Sequence, residues 1–301
     1  MINTTFETSK MKNSELVSIK EAFIHKMKGK ISLETTDKLS VEEPLEIRVI
    51  YGKPNDIIEK NISVTMRTPG EDHYLAIGFL FTEGVISSYL DIKDVRKVEN
   101  SCNRQSQNIV VVELHESVVP NLSQSDRNFY TTSSCGVCGK ASIESIKTVN
   151  SYCKNENPVK NISLEVLYSL PDKLKSFQNS FSQTGGIHAT GLFSANGDLL
   201  LVHEDVGRHN ALDKLIGNAL KDDLLPLNQH ILLLSGRASF ELIQKAAMAG
   251  VSIVASIGAP SSLAVELAKE FNIVLIGFLN ENRCNIYNGI EYIVSPALQN
   301  I

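Results

Sequence analysis

Two cysteines, Cys135 and Cys138, stand in the glycine-bearing stretch Ser133-Ser134-Cys135-Gly136-Val137-Cys138-Gly139-Lys140, which runs straight into a helix-like segment over 141–149. The chemistry this spacing suggests is that of sulfur. A thiolate is the working nucleophile, and helix N-terminal amides, a nearby cation and a CxxC partner all stabilise it. Cys138, Gly139 and Lys140 can supply all three. CxxC is also half of a zinc site, but a closed site needs four ligands. Cys102, Cys153 and Cys284 are single and far apart, so no second cysteine pair is present. A zinc deaminase needs H-x-E upstream of P-C-x-x-C; residue 134 is Ser, and H-x-E does not occur. A thioredoxin-like loop would need a βαβ context, whereas strand and helix alternate only about a hundred residues downstream.

That downstream alternation carries the second group of chemical residues. Short apolar runs at 230–234, 251–255 and 273–276 are separated by helix-like segments at 240–249 and 262–269. The pattern predicts three parallel strands covered on both faces. In open α/β sheets ligands collect beyond the carboxyl ends of strands. Here those ends carry Ser235-Gly236-Arg237, the Gly- and Ser-rich stretch 256–262, and Gly277-Phe278 leading to Arg283. Glycine lets amides approach an anion, serine caps a helix or binds phosphate, and arginine grips phosphate bidentately. Any one loop is explained equally well by turn and cap chemistry. Three on one edge, two with Arg, favour a nucleotide-like anionic ligand. The polar run His203-Glu204-Asp205-Val206-Gly207-Arg208-His209-Asn210 suggests a further site. Its alternative is a solvated loop with Asp205 or Asn210 near a helix cap. His188, inside an apolar strand, reads by itself as a core histidine.

The remaining elements must position these groups. Residues 1–30 lack periodicity and are expected to form a loose arm. Segments 45–51 and 61–67 alternate as half-buried strands, Pro69-Gly70-Glu71-Asp72 punctuates the chain before a helix over 73–82, and 108–114 reads as a strand. Segment 163–182 reads as helical, with Pro171 marking a break or fresh start. Runs 187–194 and 198–203 flank Asn196-Gly197 as a hairpin, followed by a helix over 207–220. The organisation expected is a small β-rich α+β subdomain over 31–130 and an α/β domain over 131–301.

With 301 residues, 43% hydrophobic and 21% charged, the chain can bury a real core. A net charge of -5 gives no support for nonspecific nucleic-acid binding. There is no signal-peptide pattern and no run of membrane-span length, so a cytoplasmic protein without membrane contact is expected. Five cysteines, an odd number, fit a reducing compartment with a reactive pair.

Four strings taken together, Ser134-Cys135-Gly136-Val137-Cys138-Gly139-Lys140, Gly186-Ile187-His188-Ala189, residues 204–214 with Asp205-Val206-Gly207-Arg208-His209-Asn210, and Ser235-Gly236-Arg237-Ala238-Ser239-Phe240-Glu241, resemble the formate dehydrogenase accessory sulfurtransferases, the FdhD family. The resemblance spans roughly residues 40 to 295 by the reach and order of these motifs. It implies a cytidine-deaminase-like three-layer α/β core, without deaminase chemistry, behind a smaller β-rich subdomain. It also implies a sulfur carrier and sulfurtransferase that takes sulfane sulfur from a cysteine desulfurase. The acceptor implied is the molybdenum bis(molybdopterin guanine dinucleotide) cofactor, before that cofactor enters formate dehydrogenase.

Carried over by position, Cys135 is the persulfide carrier, and Cys138 tunes it, relays sulfur or releases it. The implied cofactor-binding stretch is Phe278-Leu279-Asn280-Glu281-Asn282-Arg283, with Phe278 stacking on a purine-like ring and Arg283 on a phosphate. Arg237 and His188 join the same set. No metal is expected to be held by the protein's own residues, and homodimerisation suits such a fold. Two rival classes remain, a cofactor-binding chaperone that carries no sulfur and a dithiol oxidoreductase. The loop departs from many relatives in lacking a glycine at Asn280-Glu281-Asn282, and it is followed by Cys284, an ordinary thiol with no assigned role.

Overall fold

The computed structural model describes residues 18–98, 108–122, 159 and 161–294. The chain opens with a hairpin of β1 (Ile19–Lys28) and β2 (Ile31–Ser40), paired antiparallel from Ile19–Ser40 to Lys28–Ile31. The loose arm expected over 1–30 is therefore a strand from residue 19 onward. Its signal is weak because neither face is buried: Phe23 is 93% exposed, and Met27, Ile31 and Leu33 are exposed too. Without one buried face, a strand shows no clean alternation. The hairpin is tied to the body near its base, where the Ser40 and Thr184 hydroxyls meet at 2.8 Å.

The next strands, β3 (Glu43–Lys53) and β4 (Asp56–Arg67), do alternate, because Leu45, Ile47 and Val49 are buried beneath the sheet. Helix α1 (Asp72–Thr82) follows, then β5 (Ile92–Lys97) and β6 (Ile109–Leu114). These strands form a four-stranded sheet of order β4-β3-β6-β5.

Beyond the short β7 (Ile162–Ser163), helix α2 (Leu164–Phe177) contains Pro171 without breaking. Leu167, Leu170 and Leu174 are all fully buried on one side of it, so packing holds the helix through the turn that proline deprives of a donor. A one-and-a-half-turn helix α3 (Asn179–Thr184) leads to the hairpin β8 (His188–Ser194) and β9 (Leu199–Asp205), with Gly197 at φ +81° in the turn. Helix α4 (Arg208–Lys221), β10 (His230–Leu234), α5 (Phe240–Met248), β11 (Ile253–Ser256), α6 (Ser262–Glu270) and β12 (Val274–Gly277) then alternate. The closing strands are β13 (Asn285–Asn288) and β14 (Ile293–Val294).

The main sheet has the order β13-β12-β11-β10-β8-β9. As the apolar runs predict, β10, β11 and β12 are parallel, while β8 runs antiparallel to β10. One face of the sheet, with Phe193, Leu233 and Ile276, packs on α2. The other, with Leu232, Val254 and Leu275, packs on α4, α5 and α6, and this core continues through α1 to the inner face of the four-stranded sheet. The molecule is thus a mixed α/β fold. No helix among the described residues is long and apolar enough to cross a membrane.

The two sheets are joined through α1 and α4, which cross backbone against backbone. A Cβ built on Gly78 would lie 1.8 Å from the Asp213 carbonyl oxygen, and one on Gly217 would lie 2.0 Å from the Tyr74 carbonyl oxygen. Rigid main chain on both sides leaves no room to yield. Gly217→Ala is expected to destabilise the protein by at least about 2 kcal/mol, the scale of overpacking a tight interior, measured by chemical denaturation. Gly186→Ala, where a Cβ meets only the Thr184 carbonyl oxygen at 3.9 Å, serves as the control with little change.

Candidate functional site

The loops leaving β10, β11 and β12 are stitched together rung by rung. Gly258 N–H donates to the Gly236 carbonyl (3.0 Å), and Phe278 N–H donates to the Gly258 carbonyl (3.1 Å). Glycine is required at two of these rungs. A Cβ on Gly258 would stand 2.9 Å from the Gly236 oxygen, and one on Gly277 would stand 2.7 Å from Pro260 Cδ. The glycines read from the sequence as anion-approach points thus have a structural duty, which is to bring three successive strand ends into one continuous rim.

Phe278 opens the last of these loops in a left-handed conformation, φ +54°, with its ring partly exposed at 38%. A bulky residue at positive φ is strained, and the strain turns the ring away from the core that Leu279 enters. Leu279 is fully buried in the cluster with Val274 and Ile276. Its side chain cannot touch a ligand, so of the stretch 278–283 it is a core residue. Asn280 is also occupied, since its Oδ1 accepts from the amides of Asn282 (3.1 Å) and Arg283 (3.0 Å), and its own N–H donates to the Arg283 carbonyl (3.0 Å). This asparagine turn closes the loop, and it leaves Glu281, Asn282 and Arg283 exposed beside Phe278.

Arg237 is exposed on the neighbouring loop, with its Cα and Cγ against the Gly258 position. His188 begins β8 on the same edge and is half-buried; a Cβ on Gly236 would come within 3.2 Å of its Nδ1. Burial, with Arg208 close by, holds the His188 imidazole below its ordinary pKa and so favours the neutral ring. Phe278, Arg283, Arg237 and His188 therefore share one rim of the main sheet. Cys135 and Cys138 lie outside the described residues. Cys284 packs against the core on the α2 side of the sheet, where burial raises its thiol pKa.

The polar run after β9 divides into two sets with different roles. Asp205 is buried and forms an ion pair with buried Lys214 at 2.7 Å. Its oxygens also accept from Thr68 N–H (3.2 Å), Gly207 N–H (2.8 Å) and Asn210 Nδ2 (3.1 Å). Lys214 donates in turn to the Thr68 carbonyl, and Asn210 donates to the Met66 carbonyl at 2.7 Å. This set clasps the end of β4 to the main sheet. Neither the ligand site nor the solvated loop suggested by the sequence describes it, because its partners lie some 140 residues away in the chain. A parallel clasp places His203 between Glu71 Oε2 (2.9 Å) and Asn218 Oδ1 (3.0 Å). Glu204 takes the amides of Ser180 and Phe181, capping α3.

The second set, Arg208 and His209, turns toward the rim. His209 Nε2 lies 3.3 Å from Ser239 Oγ and 3.9 Å from Glu241 Oε2. Burial, with Lys245 and Arg208 nearby, pushes the His209 pKa down to about 4. Deeper in, Lys245 reaches Asp213 and Glu83, both at 3.0 Å. Burial works against the Lys245 ammonium, but two facing carboxylates overcome it and raise its pKa, while burial pushes the Asp213 carboxyl up to about 6.

Two outcomes follow. Asp205→Ala strands a buried ammonium and is expected to cost about 3–5 kcal/mol, read from denaturation midpoints. For His209, the folded state refuses a proton that the unfolded chain accepts near 6.5. Its contribution is intact at neutral pH and is lost as pH falls toward 4, by about 2 kcal/mol at pH 5. Asp213 acts in the opposite sense, since its raised carboxyl takes up a proton in the folded state first. The difference between wild type and His209→Asn isolates the histidine, and the variant should keep about 2 kcal/mol more of its neutral-pH stability at pH 5.

Comparison with known proteins places this geometry. The chain is 45% identical over 264 residues to a protein named sulfur carrier protein FdhD from Streptomyces coelicolor, covering 87% of this chain and 90% of that one. It is 39% identical over 277 residues to a protein of the same name from Saccharolobus solfataricus, covering 92% and 99%. A crystal structure titled as a putative formate dehydrogenase accessory protein from Desulfotalea psychrophila shares the fold, with TM-score 0.67 and 23% identity over 92% of this chain and 98% of that one. The FdhD/NarQ family profile matches residues 40–294, from the end of β2 to the last residue of β14. With its main sheet, rim and clasp all inside that span, the chain belongs to the FdhD/NarQ family.

Proposed function

We propose that this protein is a sulfurtransferase of the persulfide-carrier type. It accepts sulfane sulfur from a cysteine desulfurase on Cys135 and delivers it to the molybdenum bis(molybdopterin guanine dinucleotide) cofactor, which then enters formate dehydrogenase. The observation that carries this reading is the rim: an exposed aromatic ring at Phe278 with Arg283, Arg237 and His188 along the same sheet edge, in a chain whose relatives bear the name of sulfur carrier. Phe278 offers a stacking face for a guanine ring. Arg283 and Arg237 offer planar donors to its phosphates. His188, with its neutral ring favoured, donates or accepts a hydrogen bond without adding charge. The same reading takes the core as a cytidine-deaminase-like sheet put to sulfur transfer in the cytoplasm.

In the first step the Cys135 thiolate attacks the outer sulfur of the desulfurase persulfide. The donor S–S bond breaks, the desulfurase cysteine leaves as a thiolate, and Cys135 holds the sulfur as a persulfide. Lys140 and the amides that follow Cys138 favour the anionic sulfur. Release proceeds when the Cys138 thiolate attacks the Cys135 sulfur. The bond to the outer sulfur breaks, that atom departs as hydrosulfide to become a ligand of the molybdenum, and a Cys135–Cys138 disulfide remains for a dithiol reductant to reset.

The test is incubation of the full chain with a cysteine desulfurase and cysteine, followed by intact and peptide mass measurement without reductant. One added sulfur on the Cys135 peptide is expected, absent in Cys135→Ser. In cells, Cys135→Ser should abolish formate dehydrogenase activity. Wild-type activity in that variant, or cofactor binding with no sulfur on Cys135, would replace the carrier with a cofactor chaperone.

A further inference from the structure

The rim does not end at His188. The main sheet runs β12, β11, β10, β8, β9 from the Phe278 strand outward. Because β8 and β9 are antiparallel to one another, the start of β8 and the end of β9 fall on the same edge, with His188 opposite Asp205 in register. Arg208 opens α4 just after β9, past Val206 and Gly207, and stands at the far end of this row. Four strand steps at about 4.8 Å each separate the two ends by about 19 Å.

Among the described residues, Arg208 Nε is one of two buried side-chain polar atoms without a hydrogen-bond partner. An Nε–H buried without an acceptor, on a side chain that is otherwise partly exposed, is costly, and its complement is an oxyanion. The surroundings suit one. Arg208 is close enough to His188 to depress it, and His209 and the Ser239 hydroxyl form the adjoining wall at 3.3 Å from each other. Asp205 is engaged by Lys214 at 2.7 Å, and Glu241, its side chain half exposed, is near enough for Arg208 to help lower its carboxyl pKa without accepting from Arg208 Nε.

We infer that Arg208 is a second anion-binding residue of the rim, holding a phosphate group at the end of an elongated ligand opposite the ring that meets Phe278. The inference rests on the reading of the rim as the cofactor-binding edge, and it explains why that edge is built five strands wide.

The test uses the full chain with two probes in phosphate-free buffer. Inorganic pyrophosphate probes the Arg208 end, and guanosine diphosphate probes the Phe278 end. Binding is measured by calorimetry, and the His188 ring is followed by nuclear magnetic resonance. Pyrophosphate is expected to raise the His188 titration midpoint in wild type by neutralising Arg208. Arg208→Gln should raise that midpoint without ligand, abolish its response, and weaken pyrophosphate about ten-fold or more. Arg208→Lys should keep part of both effects. Phe278→Ala should leave the pyrophosphate response intact while weakening guanosine diphosphate about ten-fold.

The inference is overturned if pyrophosphate fails to move His188 in wild type, or moves it equally in Arg208→Gln. Thermal melting of Arg208→Gln serves as the folding control, and Arg208→Lys decides the matter if that variant fails to fold. Guanosine diphosphate binding that depends on Phe278 but not on a pyrophosphate site at Arg208 removes Arg208 and leaves the guanine reading standing. The converse removes the guanine reading and leaves Arg208.

Discussion

The buried pair of Asp205 and Lys214 organises the rest of the molecule. Each charge would be expensive to bury alone, and the pair is satisfied by Thr68 from the β4 end together with Gly207 and Asn210 at the start of α4 and the Glu204 carbonyl. Such a pair adds little net stability over an apolar contact, yet it tolerates almost no displacement once formed. It fixes the register between the four-stranded sheet and the main sheet. The glycine crossing of α1 and α4, at Gly217 less than one turn beyond Lys214, depends on that register.

The position of Asp205 at the carboxyl end of β9 gives the clasp its functional weight. The same turn that sends Asp205 inward sends Arg208 to the rim and places His188 opposite on the partner strand. Residues paired in the interior and residues standing at the rim thus alternate within a few positions. That alternation accounts for the density of polar residues in this stretch better than either a single site or a single solvated loop.

Much of this could be read in the chain. The parallel strands β10 to β12 were legible as continuous apolar runs because both of their faces are buried. The β8–β9 hairpin was legible because Asn196-Gly197 demands a particular turn. The β1–β2 hairpin was not, because its faces are solvated and carry no period. Pro171 was misread because proline's local penalty is visible in sequence, whereas the burial of Leu167, Leu170 and Leu174 that outweighs it is not.

At the rim, residue types and order along the chain point to Phe278, Arg237 and Arg283, since the edge of a parallel sheet follows from its strand pattern, whereas His188 reads as a core histidine and joins them only through the family resemblance. Leu279 belongs to the stretch that the family resemblance implies, and only the turn at Phe278 shows that it faces inward. The sequence by itself determined the chemistry on offer: a thiol pair, a row of Gly, Ser and Arg at strand ends, and a family motif. Tertiary structure alone decided which charges neutralise one another in the interior and which are left at the rim. Asp205 and Arg208 are three residues apart, and no local rule separates them; contacts with β4, made across nearly half the chain, do.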